Sequence, residues 1–141
     1  MWAQHQAQAN PSLPQKFCTL PIVTNGLTHG LSIAGQIFID PDTQLFLNDK
    51  LWGNYKMIFA NKLQAEIELF ELFDSGLTSF NTRSFAQKVG NAKSDKIVVL
   101  LNFPNNPTGY SPTESEAEQI CSTLKAQAES GKSVIAICDD A

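Results

Sequence analysis

The chain has 141 residues, and 10 Lys+Arg against 14 Asp+Glu leave a formal charge of −4. That length suits one domain able to bury a core, and 43% hydrophobic with 17% charged residues excludes disorder throughout. The acidic balance, with Arg83 the single arginine, offers no basic stripe for nucleic acid. Apolar runs such as 97–101 and 134–138 fall far short of the roughly 20 residues that span a bilayer, so no membrane partner is expected.

The first six residues have no basic flank and no apolar stretch, so a secretory leader is not expected. Cys18, Cys121 and Cys138 are odd in number and far apart, which argues against a disulfide framework and for a reducing, cytoplasmic setting. Residues 1–16 read as a helical tail running into a loop at 10–14. Leu20 to Thr24 predicts a short strand, broken by Asn25-Gly26. Leu27, Leu31, Ala34 and Phe38 then recur at helical spacing until Asp40-Pro41-Asp42 stops them. Residues 44–47 predict a second strand and 52–61 a short helix. Residues 65–74 alternate acid and apolar side chains in part, as a strand with one wet face does. A helix over 81–89 ends at Gly90. Residues 97–103 read as one apolar strand, interrupted by Asn102 alone, of the kind buried on both faces.

Ser111-Pro112-Thr113-Glu114 then predicts a helix start with Ser111 as the cap. Ala117, Ile120, Cys121, Leu124 and Ala128 form its apolar face, Gly131 supplies the exit, and 134–138 is the last strand. Strand and helix alternate, which implies an α/β fold: a mostly parallel sheet with helices on its faces, binding ligands at the carboxyl ends of its strands. The chain stops directly after a buried-type strand, which reads as a piece of a longer polypeptide; a complete small domain ending on an edge strand is the alternative.

Four segments after strands carry polar or aromatic groups. Asn25-Gly26-Leu27-Thr28 opens a helix, where free backbone N–H groups and a glycine suit an anion; a plain turn is the alternative. Trp52-Gly53-Asn54-Tyr55 offers an aromatic face for a flat ring, or core packing. Asn106, in Pro104-Asn105-Asn106-Pro107-Thr108-Gly109, offers an amide donor, or an ordinary turn. Asp139 offers a carboxylate for a protonated ring nitrogen, or a solvated strand end or helix cap. The Asp40 and Asp42 spacing fails the calcium-loop pattern, and His5 and His29 lack zinc-site spacing, so no metal site is expected. His29 reads as a helix-surface or packed residue.

In this order, over roughly residues 20–141, these segments resemble the pyridoxal-phosphate aminotransferases of fold type I, class I/II. The most specific pieces are Trp52 to Tyr55, Pro104 to Gly109 and Asp139-Asp140-Ala141, the last similar to the family's Asp-x-Ala-Tyr. The resemblance implies a three-layer αβα domain, part of the family's large, cofactor-binding domain, with pyridoxal 5'-phosphate as cofactor. By it, Gly26, Leu27 and Thr28 match the phosphate loop, Trp52 the ring-stacking aromatic, Asn106 the donor to the ring oxygen and Asp139 the partner of the ring nitrogen. Tyr55 matches a residue behind that acid.

The resemblance further implies amino-acid and 2-oxo-acid substrates, a role in amino acid metabolism and a homodimeric parent. None of the nine lysines matches the Schiff-base position, which lies downstream in the family, so no catalytic residue is assigned and the chain alone is expected not to transaminate. Other fold type I enzymes (synthases, lyases, decarboxylases) share these motifs. A non-catalytic aminotransferase-like module of a regulator, and an α/β domain without cofactor, are the competing readings. Bared apolar surfaces are expected to favour self-association.

Overall fold

The computed structural model describes residues 2–13 and 16–141. Met1, Pro14 and Gln15, assigned above to the tail and loop, lie outside the described residues. The elements are α1 (Trp2–Ala9), α2 (Leu27–Phe38), β1 (Thr43–Asn48), a π-helical segment (Lys56–Asn61), β2 (Glu66–Phe70), α3 (Thr82–Gly90), β3 (Lys96–Asn102), α4 (Glu114–Glu129) and β4 (Ser133–Asp139). The strands form one all-parallel sheet in the order β2-β1-β3-β4, flanked by helices: the expected α/β three-layer architecture.

Side-chain alternation along the strands divides the core in two. Leu45, Leu47, Val98 and Leu100 face a layer built from Leu31 of α2 with Tyr55, Ile58 and Phe59. Phe46, Ile97 and Val99 face the opposite layer, with Phe70, Phe85 and Val89, and Ile120 of α4. Phe59 and Phe85 are completely buried, each stabilising the fold by roughly 1.5–3 kcal/mol relative to exposure. The β1-to-β2 and β2-to-β3 connections run in opposite directions across the sheet, so the carboxyl ends of β1 and β3 form the switch point where sheets of this kind leave a crevice for ligands.

Several expectations need correction. Leu20 to Thr24 forms no strand. Pro21 lacks an N–H donor, no strand among the described residues pairs with the segment, and Leu20, Ile22 and Val23 are exposed. Residues 54–63 are helical, but over Lys56–Asn61 the helix widens to the π form. The strand expected over 65–74 is only Glu66–Phe70, and its wetness comes from lying at the sheet edge. The cap of α4 is Thr113, not Ser111: its side chain accepts from the Glu116 N–H while Glu116 reaches back to the Thr113 N–H. The inward face of α4 includes Glu116 and Ile120, while Cys121 and Ala128 are exposed. No helix among the described residues is long and apolar enough to cross a membrane.

Helix α2 is held close to the π-helical segment at Gly35, where a Cβ would stand 2.6 Å from Leu63 Cδ1 and 3.1 Å from Phe59 Cε1. Overpacking costs about 1–3 kcal/mol and outweighs the roughly 1 kcal/mol that alanine adds as a helix former. Gly35→Ala is therefore expected to lower stability by about 1 kcal/mol in urea unfolding; a stabilised variant would show that this interface yields freely.

Candidate ligand site at the carboxyl end of the sheet

Asp139 is the last residue of β4, on the side of the sheet that carries Ile135, Ile137 and Tyr55, and is only 3% exposed. Its carboxylate accepts the Tyr55 hydroxyl at Oδ2 and the Ala141 N–H at Oδ1 (3.2 Å). Its backbone carbonyl accepts the Phe103 N–H and Asn102 Nδ2, each at 3.1 Å. No ion pair reaches it among the described residues. Burying a carboxylate with hydrogen bonds but no counter-charge is costly, and a cationic ligand atom placed against it would offset that cost.

Tyr55 is buried beneath this acid at the start of the helix that becomes π. Burial pushes its phenol pKa far up, and the hydrogen bond to Asp139 and that residue's charge push the same way. Trp52 meets Tyr55 edge to face, with centroids 5.5 Å apart and planes at 89°. The indole is thus packed against the phenol that holds Asp139, and is itself half-buried.

The loop after β3 is tied on three sides. Asn105, buried, donates from Nδ2 to the Lys50 carbonyl at 3.1 Å, bridging the crevice to the segment that leads into Trp52. Its Oδ1 accepts Thr108 Oγ1–H at 2.7 Å. Asn106 is exposed, and its N–H donates to Asn102 Oδ1 at 2.7 Å. Farther on, Tyr110 donates to Glu116, and the Phe80 N–H donates to both. Burial alone would raise the Glu116 pKa, but the Thr113 N–H, the Tyr110 hydroxyl and the Phe80 N–H outweigh it and hold the carboxyl below the usual range.

Gly26 caps α2 at φ +86° with no side-chain cap. A Cβ there would touch nothing, so the backbone angle and not crowding calls for glycine. The first helical bond is Gly30 N–H to the Gly26 carbonyl, so the N–H groups of Leu27 and Thr28 remain outward-facing donors. His29 is exposed and its Nδ1 accepts the Asn25 N–H. Because α2 packs on the Tyr55 side of the sheet and leads into the amino end of β1, its start lies at the carboxyl end of the strands.

Of the sequence-predicted residues, Trp52, Tyr55 and Asp139 form one contact network, and Asn106 joins it through Asn102. Gly26, Leu27 and Thr28 are brought to the same end by topology, without a hydrogen bond to that network among the described residues. Sequence reasoning missed Asn102 and Asn105. The available signal was an asparagine inside an otherwise apolar run ending at Phe103, where a buried amide needs partners.

Both tyrosines are held protonated above the ordinary phenol range, Tyr110 by burial and by its bond to Glu116. Since the folded-state pKa values are raised, the associated stability is complete below the ordinary phenol pKa and is lost as pH rises beyond it. Ultraviolet titration of the native chain should show no phenolate near pH ~10; normal ionisation of both tyrosines would refute the buried pairings. At the acid end the sign reverses. The Glu116 contribution is present above the ordinary glutamate pKa and declines as pH falls through the lowered one. Glu116→Gln should lower stability at neutral pH by roughly 1.5–3 kcal/mol and flatten the acid limb of the stability profile measured by urea unfolding; an unchanged acid limb would count against the pairing.

The family model described as aminotransferase class I and II matches residues 3–141. An aspartate aminotransferase of Musicola paradisiaca is 32% identical over 102 residues, 71% of this chain and 24% of that protein. The mitochondrial aspartate aminotransferase of Schizosaccharomyces pombe is 22% identical over 85 residues, 60% of this chain and 19% of that protein. The chain therefore spans about a fifth to a quarter of the length of these relatives. Among solved structures, an aminotransferase from Anaerococcus prevotii superposes with a TM-score of 0.73 at 29% identity, over 79% of this chain and 28% of that one. A pyridoxal-phosphate-bound C-S lyase from Staphylococcus hominis shares the fold at TM-score 0.69 and 18% identity, over 94% of this chain and 34% of that one. The match along nearly the whole chain, on the fold just described, establishes that the chain belongs to the class I and II aminotransferases, a pyridoxal-phosphate family.

Proposed function

We propose that this chain forms the pyridoxal-phosphate-binding part of an enzyme that moves an amino group between an amino acid and a 2-oxo acid. The observation that carries the reading is the buried Asp139 carboxylate, bonded to Tyr55 and without a cation among the described residues. A protonated pyridine nitrogen is the counter-charge that such a group favours. When bound, the cofactor supplies an electron sink for charge developing on the substrate.

The chain's own residues have separate tasks. Asp139 keeps the ring nitrogen protonated, and Tyr55 fixes the direction of that carboxylate. Trp52 offers its face to the ring. Asn106 donates its side-chain amide to the ring oxygen. The N–H groups of Leu27 and Thr28, opened by Gly26, take the phosphate with the positive end of α2 behind them. The Schiff-base role is assigned to none of the nine lysines. Lys50, at the edge of the crevice, pairs with Asp49. The parent enzyme is read as a homodimer working in the cytoplasm.

Titrating the chain with pyridoxal 5'-phosphate, followed by visible absorbance and tryptophan fluorescence, should give weak, non-covalent, saturable binding. Asp139→Ala should lower the affinity by roughly tenfold or more, since hydrogen bonds to charged groups are worth about 1.5–3 kcal/mol. Absence of binding, or equal affinity in the variant, would refute the reading.

A further inference from the structure

Asn102 ends β3, is 2% exposed, and stands in register with Asp139 on β4. Its carboxamide is used in two directions. Nδ2–H donates to the backbone carbonyl of Asp139 at 3.1 Å, and Oδ1 accepts the backbone N–H of Asn106 at 2.7 Å. The two bonds do different work. The Asp139 carbonyl already accepts the Phe103 N–H at 3.1 Å, so it needs no further donor to be satisfied. The Asn106 N–H has Asn102 as its partner among the described residues. The side chain therefore hangs the Asn106 end of the loop from the end of β4.

Asn105 does not duplicate this tie. Its amide reaches Lys50, across the crevice toward the Trp52 segment and away from β4. The Tyr110–Glu116 contact holds the far end of the loop against the opposite layer. Asn102 alone among these groups joins the backbone of the acid to that of the donor.

Resting on the cofactor reading above, we infer that Asn102 is a positioning residue that sets the separation between the Asp139 carboxylate and the Asn106 side-chain amide. A rigid aromatic ring presents its nitrogen and its oxygen at a fixed spacing. Two protein groups that engage both atoms must match that spacing, and misplacement by about 1 Å is enough to forfeit most of the benefit. A buried side chain bonded to both backbones supplies the match before the ligand arrives.

The test is a double-mutant cycle on the 141-residue chain, with pyridoxal 5'-phosphate as probe and circular dichroism to monitor the fold. Asn102→Leu keeps the volume and removes both bonds. It is expected to lower affinity on the order of fivefold to tenfold in the otherwise native chain, and to have little further effect once Asn106→Ala is present. Asn102→Ser, smaller and still able to donate, serves as the second variant and should show the same coupling.

Equal losses in both backgrounds would mean a general packing role and overturn the inference, as would unchanged affinity in variants that fold. Loss of the native spectrum in both Asn102 variants would make the residue a folding determinant and overturn it too. The functional reading fails separately: it falls if the unmodified chain does not bind, whereas binding that responds to Asp139→Ala and Asn106→Ala but not to Asn102 sinks only the inference.

Discussion

A carboxylate at the buried end of an apolar strand has to be compensated, and the packing around Asp139 is organised by that need. Its strand places it beneath the surface, where an ionised group without partners would cost several kcal/mol. Tyr55 supplies a hydroxyl and Ala141 an N–H, but neither brings positive charge. The carboxylate is thus buried with hydrogen-bond donors and without a counter-charge among the described residues. Preorganised groups of this kind stabilise an opposite charge at little reorganisation cost.

The parallel sheet makes such a site possible. All four strands run the same way, so their carboxyl ends share one rim. β1, β3 and β4 are apolar along their middles and end in Asn48, Asn102 and Asp139, each buried. Polar groups that would disrupt a strand centre are tolerated at the rim because loops fold back to meet them. Asn102 and Asp139 are satisfied in this way, whereas Asn48 Oδ1 is buried without a partner among the described residues. Alternation sends Asn102 and Asp139 to the Tyr55 side and Asn48 to the other.

The element order was legible because it rests on periodicity. Residues 97–103 announce a strand buried on both faces, and β3 is that strand to within one residue at each end. Helix α2 follows its apolar spacing and ends before Asp40. What failed depended on partners that a sequence does not display. Leu20 to Thr24 has strand-like residues, but a strand requires a neighbour to accept its hydrogen bonds, and none is found among the described residues. At α4 two overlapping frames, Ser111 with Glu114 and Thr113 with Glu116, both satisfy the capping pattern. The second prevails because Glu116 also receives Tyr110 and Phe80. Turning that acid inward rotates the buried face away from Cys121 and Ala128. Around Asp139, the residue types of Trp52, Asn106 and Asp139 were visible after strands, while Asn102 was hidden because its two bonds go to backbone groups across the strand ends.

The site is suspended between the two layers of core. On one side, α2 approaches Leu63 and Phe59 closely at Gly35, in the helix over 54–63 whose first turn carries Tyr55. On the other side, Glu116 joins the start of α4, the end of the Asn106 loop and the entry to α3 in one cluster. At the rim the two sides are tied by the side chains of Asn105, to Lys50, and of Asn102, to Asp139. Both bridges are neutral carboxamides. A charged side chain in either place would alter the local field at Asp139, whereas an amide fixes distance and leaves the charge of that carboxylate for a ligand to meet. Position and charge thus rest on different residues: Asn102 and Asn105 tie the loop backbone, and Asp139 carries the carboxylate.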